Sequence, residues 1–132
     1  MNIKNFVVAS MVGSVFIFVY EFLVHGVLMA GVYESTSHLW RSMEAMNSMM
    51  GISIAIQVAT AMVVVCLVKH WHVHGASRGA QFGLGLGVLL AIMQIGTYVY
   101  LPIPFSLALM WSAAVLVKMT GVGAIAGWLY KK

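Results

Sequence analysis

Three ionisable side chains stand in runs that are otherwise apolar. Glu21 and His25 are four residues apart in one hydrophobic stretch, which places them on a single helix face. Lys118 stands near the middle of another. Ionisable groups in a bilayer are costly, turn towards the interior of a bundle and pair with one another, so Glu21 is the expected counter-ion of Lys118. Burial and mutual pairing pull the proton affinities of such groups in opposite directions, and a cluster of this kind can exchange a proton for a cation. Gln57 and Gln94 lie at similar depth in two further stretches. The expectation is an intramembrane polar pocket, open to the outer side, formed by Glu21, His25, Gln57, Gln94 and Lys118. The same five residues also suit a purely structural role, an ion pair and hydrogen-bonded glutamines that fix helix register.

Two further sets have the residue types of metal ligands. Met43, Met46 and Met49 recur every third position after His38, and thioethers with an imidazole suit Cu(I). A chain with 11 methionines produces such triplets easily. His70, His72 and His74 alternate, so an extended loop would present three imidazoles on one face to zinc or nickel. No acidic or thiol ligand lies beside them, and a headgroup-facing loop that gains charge in mild acid fits equally. His25 and His70 belong near opposite membrane surfaces and cannot share a haem. No cofactor is expected, copper being the alternative. No nucleophile with a base, and no metal triad, appears at a credible spacing, so the chain is not expected to be an enzyme. Cys66 is the sole cysteine, which excludes paired-cysteine redox chemistry and mercury carriage.

The elements that must position these groups follow from composition. Of 132 residues, 62% are hydrophobic and 8% charged, far from the balance of a soluble domain. Four stretches, 5–32, 49–68, 80–101 and 105–130, have the roughly 20 apolar residues that a spanning helix needs. The first is too long and too polar for a cleaved leader. Pro102 and Pro104 separate the last two spans and make them a tight hairpin. Lys4, Lys69, Arg78, Lys131 and Lys132 fall on one side and Arg41 on the other, so both termini are expected in the cytoplasm. The net charge of +4 is scattered, and nucleic acid is not an expected partner. Small residues at every fourth position let helices approach closely. They occur as Ala9 and Gly13, as Gly51, Ala55 and Ala59, as Gly79, Gly83 and Gly87, and as Gly123 and Gly127.

Between the first two spans, Leu39, Trp40, Met43, Met46 and Met50 form one helical stripe, expected to lie on the outer surface as an amphipathic lid. Glu21-x-x-x-His25-Gly26-x-Leu28, then Tyr33-Glu34-x-Thr36-x-x-Leu39-Trp40-Arg41 and Met46, resembles a family of small bacterial four-helix membrane proteins. The likeness extends over the Pro102-x-Pro104 hairpin and the Gly-rich spans. It implies the fold and a bacterial inner-membrane location, and no chemistry. His38 and Ser42 depart from that pattern, which has a small residue before Leu39 and proline with more acid after Arg41. The expected molecule is an all-α bundle of four transmembrane helices, N-in and C-in, in a lipid bilayer. A non-enzymatic accessory or structural subunit of a larger membrane complex or a homo-oligomer is the first functional expectation, and a small proton- or cation-coupled carrier or channel is the second.

Overall fold

The computed structural model describes residues 3–130. Helix α1 (Ile3–Glu21) widens into a π-helical segment (Phe22–Leu28) and resumes as α2 (Ala30–Ser35). A 3-10 turn (Ser37–Leu39) and α3 (Met43–Ser48) lead into α4 (Met50–His70). Helix α5 (Ala76–Gly96) ends in a 3-10 turn (Thr97–Val99), and α6 (Phe105–Leu129) follows the prolines. Four segments of 21 to 26 residues are long and apolar enough to cross a membrane. Helices suit them because each satisfies its own backbone groups where no water is present.

The packing is uneven. Helices α1, α4 and α6 enclose a core of Ala9, Ile17, Ala61, Val64, Val65 and Val122 near the end that holds the N-terminus. Helix α5 lies outside this triangle, seated on α6 and hardly touching α4. Its seat is made of glycine. A methyl group at Gly79 would overlap the Gly123 carbonyl, and one at Gly83 the Met119 carbonyl. The Gly75 N–H, on a residue at φ 88°, donates to the Gly127 carbonyl at 2.9 Å and closes the same seam.

The small row expected to pack α4 does not do so. Gly51, Ala55 and Ala59 are exposed, and α4 instead buries Ala61, Val64, Val65 and Val68, with Ala61 against Gly13. The fourfold spacing is the same on either face. Which face turns inward is decided by the larger apolar residues of the half that leads to His70.

Lys4, Lys69 and Arg78 lie at the end of the helices that holds the α4–α5 turn, and Arg41 at the opposite end. Lys131 and Lys132 are outside the described residues. The α4–α5 connection is a tight helix cap, not the expected extended loop. His72 takes the left-handed conformation at φ 51°. Its N–H donates to the Lys69 carbonyl at 3.2 Å and the Val73 N–H to that of Val68 at 3.0 Å, the paired bonds of a Schellman motif. The three histidines are consequently held against aromatic neighbours and do not line one extended strip. His70 meets the edge of Trp71, His72 Nδ1 lies 3.3 Å from the Tyr130 hydroxyl, and His74 stacks on the Tyr130 ring with centroids 4.3 Å apart. Among the described residues no three His, Cys, Asp or Glu side chains form a group that could hold a metal ion.

Candidate functional site

The polar residues collect where α1 loses its regular form. The Met29 N–H reaches the Val24 carbonyl at 2.9 Å, five residues back, so the turn carrying His25 is wider than an α turn. Such π segments often occur at functional sites. Tyr20 ties the start of this region to α6 through a 2.8 Å bond from its hydroxyl to the Ala114 carbonyl. Across the gap, Lys118 Nζ donates to Glu21 Oε1 at 2.5 Å, and His25 Nε2 lies 3.1 Å from Glu21 Oε2. Both carboxylate oxygens are engaged. The side chains of Glu21 and Lys118 keep 25% and 22% of their surface, so the pair is neither sealed in the core nor at the surface.

The chain continues outward. His25 Nδ1 and the Tyr33 hydroxyl are 2.6 Å apart, and Trp111 Nε1–H donates to the same hydroxyl at 2.7 Å. An indole nitrogen only donates, so the Tyr33 oxygen accepts from Trp111 and has one hydrogen left to give. With neutral imidazole that hydrogen goes to Nδ1, and Nε2–H faces Glu21. When Nδ1 gains a proton it becomes a donor, and the Tyr33 hydrogen turns to the Met29 sulfur, 3.8 Å away. One proton therefore switches the direction of a hydrogen bond without moving a heavy atom. Burial pushes the Tyr33 hydroxyl above its ordinary range, with the nearby Glu21 charge adding to this and the Trp111 bond opposing it. Tyr33 thus keeps the hydrogen that the relay requires.

These residues border a cavity of about 230 Å³, lined by Glu21, His25, Tyr33, Gln94, Trp111 and Lys118. Four of the five expected pocket residues meet there. Gln57 does not, because the half of α4 next to α3 is exposed and carries it away from the cavity. Tyr33 and Trp111 are additions, because aromatic rings near span ends suit the headgroup region without any inward role. The available signal is chemical: an indole N–H and a phenol that are drawn inward must find partners.

No family model, curated protein or solved structure matches this chain.

Beyond the relay the segment between the first two spans departs from a single amphipathic helix. Trp40 is extended (φ −103°, ψ 159°), which breaks the expected stripe, and Ser42 caps α3 by accepting the Ala45 N–H at 3.3 Å. Leu39 and Trp40 turn inward onto Ile103, Leu107, Ala108 and Trp111. The Trp40 Nε1–H donates to the buried Thr36 hydroxyl at 3.0 Å, and that hydroxyl donates to the Val32 carbonyl at 2.8 Å. Between this plug, α3 and the π segment lies a second cavity of about 790 Å³, which shares His25, Tyr33 and Trp111 with the first. Met43 and Met46 line it, whereas His38 and Met49 do not, so the proposed copper set is not gathered at this cavity.

The plug is testable through one atom. Thr36→Val keeps the side-chain shape and removes the acceptor of Trp40, a loss of about 1 kcal/mol for a hydrogen bond left unmade. Thermal denaturation should show that decrease, with faster amide exchange in residues 36–41. Unchanged exchange there would mean that Trp40 is held by apolar packing alone.

Proposed function

We propose that this chain is a small, non-enzymatic, proton-coupled carrier of the bacterial inner membrane, N-in and C-in, loaded from the outer side. The observation that carries this reading is the continuous chain Trp111–Tyr33–His25–Glu21–Lys118 along a cavity wall. A structural ion pair requires only Glu21 and Lys118. It does not require an imidazole with one nitrogen on the carboxylate and the other on a phenol that has an alternative acceptor. The groups facing His25 are Glu21 from its own helix, Tyr33 from α2 and Lys118 across Glu21 from α6, with Arg41 on the wall of the outer cavity. A proton accepted at Nδ1 adds one positive charge to a cluster in which Glu21 is already neutralised. That charge favours the entry of an anion or the departure of a cation, which is the coupling a carrier needs.

Purified protein in vesicles with an entrapped pH dye, under a potassium diffusion potential, tests this. The wild type should take up protons faster than protein-free vesicles. His25→Gln should keep the fold and bring uptake down to the protein-free level. Equal uptake by wild type and His25→Gln would overturn the reading. The accessory or structural subunit remains a second reading, supported by the Gly51, Ala55 and Ala59 row that α4 turns out of the bundle. A stoichiometric larger partner in the mass of the particle extracted in mild detergent would favour it.

A further inference from the structure

We infer that the 790 Å³ outer cavity binds a single-chain amphiphile with one acidic head group, a long-chain carboxylate, and that this is the cargo of the proposed carrier. The inference rests on that reading for the word cargo and on separate observations for the ligand. The cavity lies in the size range of small-molecule sites and is dominated by apolar side chains, with a few polar groups to fix orientation. Its apolar wall is Leu39, Trp40, Met43, Met46 and Trp111, flat aromatic faces together with flexible thioethers that adapt to a chain of variable shape. Its polar groups are Arg41, His25 and the Tyr33 hydroxyl, and among the described residues no carboxylate lines it. An apolar slot whose charged groups are cationic selects an amphiphile of opposite sign, and guanidinium matches carboxylate in two parallel hydrogen bonds. Gly26 and Ala30 leave the floor open, and a methyl group at Gly26 would meet only the Phe22 side chain. The position also suits the ligand. The cavity is at the end of the spans, between α3 and the π segment, a depth at which an amphiphile held in the bilayer keeps its head group.

The cavity carries its own reporters. Trp40 and Trp111 line it, while Trp71 and Trp128 belong to the opposite end of the bundle and are exposed. In full-length protein with Trp71→Phe and Trp128→Phe, in mild detergent, titration with dibrominated stearate should quench the remaining fluorescence saturably. Its methyl ester, with the same chain and no charge, should not saturate. Arg41→Gln should weaken the carboxylate by about ten- to hundredfold, the value of a hydrogen bond to a charged group. Ala30→Phe should fill the floor and abolish saturable quenching while leaving the melting temperature within a few degrees. Quenching that is equal for acid and ester, or indifferent to Arg41→Gln and to Ala30→Phe, would overturn the inference. Saturable binding with no proton uptake would leave this site standing and remove the carrier reading. Proton uptake without saturable binding would do the reverse.

Discussion

Gly83→Leu should abolish the folded bundle, while Gly85→Leu, two residues further on, should leave it intact or slightly firmer. At Gly83 the first added carbon already overlaps the Met119 carbonyl and approaches the Gly123 Cα, both backbone atoms that no rotamer change can move aside. Ordinary overpacking costs about 1–3 kcal/mol because side chains yield. Here the α5–α6 axes would have to separate along a seam held by Gly79, Gly83, Gly123 and Gly127, and in lipid that close packing is the attraction. The loss therefore exceeds the usual range and becomes comparable to the roughly 5–15 kcal/mol that holds a domain together. At Gly85 nothing lies within 4 Å of an added carbon, and replacing a mid-helix glycine recovers up to about 1 kcal/mol of propensity. Size-exclusion and melting profiles in detergent distinguish the two. Near-identical profiles would mean that α5 does not sit on α6 through this face. Because α5 delivers Gln94 to the inner cavity, Gly83→Leu should also remove proton uptake.

The contrast shows what a sequence of this kind makes legible. Span number and approximate bounds follow from hydrophobic length, which is a bulk property. The hairpin of α5 and α6 follows from Pro102, Pro104 and the glycine spacing. The identical spacing of Gly51, Ala55 and Ala59 misled, since periodicity identifies a row and not its direction. Glu21 and Lys118 could be matched from their cost alone, as two opposite charges in apolar runs. Tyr33 and Trp111 could not, because an aromatic ring near a span end reads as an interfacial anchor whether or not its polar atom turns inward. The π segment also has no residue signature in Phe22–Leu28. It lies between two points at which this stretch is tied to α6, Tyr20 at the Ala114 carbonyl and Tyr33 at Trp111. The alternate histidines looked like a metal strip only on the assumption of an extended loop, and the cap at His72 removes that assumption.

Exchanging the two partners of the central ion pair should restore the fold without restoring the relay. Lys118→Glu places two carboxylates beside His25, and Glu21→Lys places two ammonium groups together. Removing one partner of an ion pair costs about 0–1 kcal/mol at a surface and about 3–5 when fully buried. This pair, with about a quarter of each side chain exposed, belongs between those limits, and charge reversal adds repulsion. Each single variant should therefore melt clearly below the wild type. The double variant again holds opposite charges across the same gap, so its melting temperature should recover, with a coupling of roughly 0.5–3 kcal/mol for side chains in direct contact. A double variant less stable than both singles would mean that the two groups do not face each other. The relay has a stricter requirement, because His25 Nε2 faces a carboxylate on its own helix, one turn away. In the double variant that neighbour is an ammonium group, which can only donate, so Nε2 must become an acceptor and Nδ1 must carry the hydrogen. The Tyr33 hydroxyl is then turned permanently towards Met29, the arrangement that the wild type reaches only after gaining a proton. Recovery of the fold with loss of proton uptake would thus separate the two roles of Glu21, as a partner for Lys118 and as the group that keeps His25 ready to accept a proton.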